Sequence, residues 1–354
     1  MNPYTYLSIF ISIIHSTVGF KKILLLFVIC ISVIACGQNK NTSNELSRGD
    51  LPTVEVLDKE LLELIDPKAK LEVIGEGFGW SEGPAWVEKH QILLFSDVPN
   101  NVIYKWSEKE GVTEYLKPAG YTGEEEHSGQ LGSNGLLIGQ DDNLLLCQQG
   151  DRRIARMNAP LIKPEPKFTT LADNYEGRKL NSPNDLSQNS NGDIFFTDPP
   201  YGLAEGVDKE LNFQGVYKIS GEGKIVLLTD ELSRPNGIAI SPDQSTLYVA
   251  NSDPDRAFWI AYKLQPDGNI SSSRIFYDVT KFVDKAPGLP DGMTIDSDGY
   301  IYATGPGGIW IFSPDERLLG KINIGKPTSN CVIGNAGKML YLTADDLLLR
   351  IPLL

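Results

Sequence analysis

The sequence predicts an all-β fold, a six-bladed β-propeller whose ring is closed by an N-terminal strand joining the last blade. Three observations lead there. First, six apolar, β-rich runs recur, "ILLFS", "LLLC", "IFFT", "LYVA", "IYAT" and "LYLT". They end at Ser96, Cys147, Thr197, Ala250, Thr304 and Thr343, at intervals of 51, 50, 53, 54 and 39 residues, the blade-length period expected of a propeller. Second, most runs follow a turn signal such as Asn191-Gly192-Asp193 or Asp298-Gly299, and several lead into a further short strand such as "GVYKI" or "GIWIF". Third, helical periodicity is nearly absent, the one candidate being "DKELLELID" at 58–66.

Taken from the N-terminus, Lys21-Lys22 precede the apolar run "ILLLFVICISVIA" and then Cys36, which reads as a secretory segment over residues 1–35. Val33-Ile34-Ala35-Cys36 resembles a bacterial lipobox, in which the cysteine carries the lipid. The expectation is an extracytoplasmic lipoprotein, periplasmic or on the outer surface, held to a membrane through Cys36; an uncleaved membrane anchor is the alternative. Removing residues 1–35 takes away Lys21 and Lys22 and no acid, so the net charge of -14 becomes -16. A chain this acidic is a poor partner for phosphate backbones, and nucleic acid is excluded. Cys147 and Cys331 would remain as buried small residues rather than a disulfide framework.

Residues 36–69 read as a polar tether and lead-in, and 70–354 as the propeller. The last repeat has room for about three strands before Leu354, and "KLEVIGEGF" at 70–78 supplies a strand to complete it.

Each repeat also carries a carboxylate or carboxamide 13 or 14 residues before its small residue: Glu82, Asn134, Asn184, Asn236, Asp291 and Asn330. Four of them precede glycine, which lets another backbone approach closely. The segments that follow alternate like a blade's first strand, so rotation about the axis would bring six oxygen-bearing side chains into one ring. Two carboxylates about 5 Å apart at an effective dielectric near 20 repel by roughly 3 kcal/mol, so a ring holding Glu82 and Asp291 favours a divalent cation. All-oxygen donors suit calcium first, with magnesium, manganese and zinc as alternatives. The opposing reading is that Asn and Asp before Gly merely start each strand's turn. Gly79-Trp80-Ser81-Glu82-Gly83 has the spacing of a nucleophile elbow, but no helix follows it, and the chain's only histidines are His15, His90 and His127.

"SEGPAW", "SPNDLSQNSNGDIFFTDPPYGL", "RPNGIAIS" and "LPDGMTIDSDGYIYAT" together resemble the senescence-marker-protein/gluconolactonase family across roughly residues 70–354. The resemblance implies a metal-dependent hydrolase that opens sugar lactones at the propeller axis. By motif it implies Glu82, Asn236 and Asp291 as metal ligands, with Asn184 at the metal or on the substrate. Asp291 is the implied general base, and Asp185 resembles a second acid assigned to proton transfer. Asn134 and Tyr201 are expected to bind the lactone or ester substrate, Tyr201 from the mouth loop 198–212. The loop at 121–135, with Glu124, Glu125, Glu126 and His127, is either a second substrate cover or plain solvated chain. Gln149 departs from the histidine that many members of the gluconolactonase branch carry before the glycine. The alternatives are a non-catalytic surface propeller binding a sugar or protein partner, or a metal-dependent hydrolase of other esters.

Overall fold

The structure, a computed structural model, describes residues 53–124, 129–203 and 206–354. The expected secretory segment and Cys36 lie outside the described residues, as do Glu125, Glu126 and His127. Among the described residues the only helical turns are three short 3₁₀ segments, and no helix is long and apolar enough to cross a membrane.

Six antiparallel sheets, five of four strands and one of five, follow one another along the chain. Their innermost strands are Ser81–Val87, Ser133–Ile138, Leu186–Gln188, Pro235–Ile240, Met293–Ile295 and Asn330–Gly334. Each packs against the innermost strand of the next blade, and the sixth returns to the first, so the sheets form a closed six-bladed ring. Blade 6 takes Asn330–Gly334, Met339–Ala344 and Leu347–Pro352 from the C-terminus, and Glu72–Glu76 pairs onto Leu347–Pro352 as its outer strand. The closing strand is the one that "KLEVIGEGF" predicts.

The continuous apolar runs form the second strand of each blade, and their period of two explains why every position is apolar. Leu93 and Phe95 pack toward blade 6, against Tyr341 and Leu348. Leu94 points the other way, against Leu144 and Leu146 of blade 2. Likewise Phe195 meets Val249 and Phe258 of blade 4, while Ile194 and Phe196 meet Leu145 and Cys147 of blade 2. Both faces of each strand are thus covered, as the buried sheets of layered folds require. Six hydrophobic clusters result, one per gap between blades. Each fully buried Leu, Ile or Phe contributes about 1.5–3 kcal/mol. Cys147 and Cys331 are free and buried in two of these gaps.

The lead-in is part of the propeller. Val54–Val56 adds a fifth strand to blade 5, pairing with Leu318–Asn323. The "DKELLELID" stretch forms a 3₁₀ turn, Lys59–Glu63, capped by Asp58, whose Oδ1 accepts the Glu60 N–H at 3.0 Å. Leu61 and Ile65 fill the gap between blades 5 and 6, and Arg317 of blade 5 pairs with Asp58 and Glu60 at 2.6 and 2.7 Å.

Candidate functional site

The repeated polar residues stand at or just before the start of the innermost strands, at one end of the ring. Glu82, Asn134, Asn184, Asp185, Asn236 and Asn330 are only 3–7% exposed. They are drawn together by how closely the blades meet. A Cβ on Gly83 would lie 2.0 Å from the carbonyl oxygen of Asn134, and one on Gly237 would lie 2.0 Å from that of Asp291. Glycine after the polar residue is what lets the next blade's backbone come so near.

Hydroxyls complete the arrangement, two of them from small residues that end apolar runs. Ser96 Oγ donates to the Asn134 carbonyl at 2.8 Å and Thr197 Oγ1 to the Asn236 carbonyl at 2.7 Å. Ser329 Oγ, next to Asn330, donates to the Ser81 carbonyl at 2.7 Å, joining blade 6 to blade 1. These bonds run around the ring between blades and fix the backbone that carries the polar side chains.

Glu82, Asn134, Asn184, Asn236 and Asp291 line one cavity of ≈ 430 Å³, and Tyr201 lines it from the loop above. Asp185 is not among the lining residues. Its Oδ1 accepts the Leu186 N–H at 2.9 Å and its Oδ2 the Ile238 N–H at 3.3 Å, so it sits deeper among the inner strands. Asn330, the sixth member, also lies behind the cavity, with its Oδ1 accepting the Cys331 N–H at 2.8 Å.

Burial dominates the electrostatics. It pushes Glu82 up to about 8, against the downward pull of the Gly83 N–H, and the charge of Asp185 adds to the rise. Asp185 is pushed up to about 7 by burial, offset in part by its backbone donors. Asp291 is raised well above the carboxylate range by burial first, then by repulsion from Glu82 and Asp185. Tyr201 is raised by burial and by Asp291. Three carboxylates that resist ionisation together form a site that a cation would relieve.

The donor set fits a hard divalent cation. The Oδ1 atoms of Asn134 and Asn236 are buried without a hydrogen-bond partner, although almost all buried polar atoms have one. Two carboxylates and these carboxamide oxygens are oxygen donors only. No cluster of three or more His, Cys, Asp or Glu side chains suited to a metal occurs among the described residues, so any cation here must use the carboxamides as well.

The cavity also takes residues that the repeat pattern did not pick out. Trp80, Arg234, Leu289 and Thr328 line it, and each stands two residues before a repeated polar position. In extended chain, residues two apart point to the same side. These residues form an upper tier above the ring, and the signal for them was that period of two. Gln130 contributes from a mouth loop, Ser252 from the end of strand Thr246–Asp253, and Val283, Ala286, Pro287 and Gly288 from the segment entering blade 5. Gln149 lies beside the cavity rather than in it: it is fully buried under Gly202, with both amide atoms unpartnered.

A family model described as the SMP-30/gluconolactonase/LRE-like region matches residues 80–346. The chain is 38% identical over 326 residues to a gluconolactonase of Zymomonas mobilis, an alignment covering 89% of this chain and 90% of the relative. A solved structure from Xanthomonas campestris, described as a gluconolactonase, superposes with a TM-score of 0.74 at 30% identity, covering 85% of this chain and 94% of that one. A calcium-binding protein, regucalcin, from Agrobacterium tumefaciens shares the fold at a TM-score of 0.63 and 17% identity, covering 79% of this chain and 93% of the other.

Proposed function

The chain belongs to the SMP-30/gluconolactonase/LRE-like family, and from that premise we propose that it is a metal-dependent lactonase that opens sugar lactones in the cavity on the propeller axis. The observation that carries this reading is the meeting of Glu82, Asn134, Asn184, Asn236 and Asp291 in one cavity of ≈ 430 Å³, a size suited to a single sugar.

In this reading a divalent cation, calcium first, is held by Glu82, Asn236 and Asp291 with Asn184 beside it, and when bound it supplies Lewis-acid polarisation of the lactone carbonyl. The residues of the chain do the rest. Asn134 and Asn184 bind and orient the sugar. Tyr201 closes the mouth, and Trp80 and Leu289 give the cavity apolar wall that sheds water around the ring. Asp291, through one carboxylate oxygen, takes a proton from the attacking water as the new C–O bond forms. The proton is returned to the ring oxygen as the lactone C–O bond breaks, leaving the hydroxy acid. Asp185, held by two backbone N–H groups and within electrostatic reach of Asp291, is the reserve position for that proton.

The test is D-glucono-δ-lactone hydrolysis after chelation and after cation is added back, with Asp291→Ala alongside. Activity should vanish and return with the cation, and the variant should lose at least about 100-fold in kcat, the lower range for losing a general base. Normal turnover by Asp291→Ala would remove Asp291 from the chemistry.

A further inference from the structure

Resting on the lactonase reading, we propose that the substrate carries an anionic group, a carboxylate or a phosphate, distal to the lactone carbonyl, and that Arg234 receives it. Arg234 is the only cationic side chain among the residues lining the cavity. It also makes no ion pair among the described residues. Two other described arginines, Arg156 and Arg256, also form none, but neither lines the cavity. Arg152, Arg153, Arg178, Arg274, Arg317 and Arg350 all have carboxylate partners.

The nearby acid, Asp253, feels the Arg234 charge but spends its hydrogen bonds elsewhere: its Oδ2 accepts the Ser233 hydroxyl at 2.5 Å and its Oδ1 the Asp255 N–H at 3.0 Å. The Arg234 backbone, by contrast, is fixed. Its N–H donates to Asn251 Oδ1 at 2.9 Å, its carbonyl accepts the Ser252 N–H at 2.8 Å, and Pro235 follows it. An exposed guanidinium on a pinned backbone, opening into a binding cavity, offers the planar two-pronged donor that matches carboxylate and phosphate.

Its place in the tiers sets where the anion lies. Arg234 stands two residues before Asn236, about 6.6 Å along extended chain. That separation is comparable to the span of a six-carbon aldonolactone from its carbonyl to its far end. Glu82 and Asp291 lie at the lower tier, where an anionic group would be repelled, so the charged end of the substrate is directed to the upper one. The other tier residues that reach the cavity, Trp80, Leu289 and Thr328, are uncharged and leave Arg234 as the one group of the upper tier that can select for charge.

The experiment measures kcat/KM of the purified full chain for D-glucono-δ-lactone, 6-phospho-D-glucono-δ-lactone and D-glucaro-1,4-lactone, with wild type, Arg234→Gln and Arg234→Lys. For wild type, one anionic lactone should exceed the neutral one at least tenfold, and which one it is separates phosphate from carboxylate. Arg234→Gln should collapse that ratio at least tenfold, mainly through KM, with Arg234→Lys intermediate, and added salt should lower the wild-type ratio. A wild-type ratio near one, or a ratio unchanged in Arg234→Gln, overturns the proposal. If no lactone is hydrolysed, the lactonase reading fails, and calorimetric binding of 6-phosphogluconate and glucarate against gluconate decides the inference alone. A tenfold preference lost in Arg234→Gln upholds it, and no preference overturns it.

Discussion

Glu82, Asp185 and Asp291 are buried within electrostatic reach of one another, and the protein's response to pH follows from that. An acid whose pKa is raised on folding stabilises the folded state below its ordinary value, and that contribution is lost as pH rises through the raised value. Glu82 moves from 4.5 to about 8 and Asp185 from 3.8 to about 7, so the window runs from about 4 to about 8. Without a cation, Tm should therefore fall from pH 5 to pH 8.5. A cation held by Glu82 and Asp291 would compete with protons for them and stabilise the state that binds it. The Tm gain on adding calcium to chelated protein should thus be larger at pH 8.5 than at pH 5, and Glu82→Gln should shrink it. Equal gains at both pH values would show that these carboxylates do not bind the ion. At this scale the ring was legible because a polar oxygen recurs at one phase of the repeat. The upper tier was not: Trp80, Gly132, Ser182, Arg234, Leu289 and Thr328 share a position but no chemical type.

An innermost strand holds its place through two devices, a glycine that admits the neighbouring backbone and a hydroxyl that bonds to it. The glycines were legible as close-approach positions. The hydroxyls were visible only as small residues, because Cys147 and Ala250 stand in the same phase without an oxygen and hide the bonding role of Ser96 and Thr197. Gly237→Ala tests the first device. Its Cβ would sit 2.0 Å from the Asp291 carbonyl oxygen and 2.7 Å from Gly292 Cα, and backbone cannot swing aside as a side chain can. The variant should lose about 1–3 kcal/mol of stability, as overpacked sites do. It should also lose about tenfold or more in kcat, because the backbone that must move is that of Asp291 itself. Gly221→Ala is the control, since its Cβ would meet nothing nearer than 4.0 Å. Equal effects from the two variants would mean that blade contact does not position Asp291.

The whole ring depends on a seam between the two ends of the chain. The C-terminal strand Leu347–Pro352 is covered on its outer side by Glu72–Glu76, in the register Glu72↔Arg350 and Val73↔Leu349. Arg350 bridges Glu72 at 2.7 Å and Glu108 of blade 1 at 2.5 Å, and its guanidinium stacks 5.2 Å from the Trp106 ring. Phe78, just beyond the strand, packs against Phe95 at a ring-centroid distance of 4.9 Å. The seam was legible because a count of three strands left one to be supplied. The fifth strand on blade 5 was not, because Val54–Val56 is three residues long and lies in a stretch without strand periodicity. The two N-terminal additions should therefore matter differently. A chain starting at residue 70 loses Leu61 and Ile65 from the gap between blades 5 and 6, at about 1.5–3 kcal/mol each, yet keeps the ring closed. It should hydrolyse lactone with a lowered Tm. A chain starting at residue 79 leaves Leu347–Pro352 as an unpaired edge beside an opened core, the condition under which strands recruit other chains. It should elute as aggregate in size-exclusion chromatography and be inactive. If it ran as a monomer with the Tm of the longer form, the seam would not be what closes the propeller.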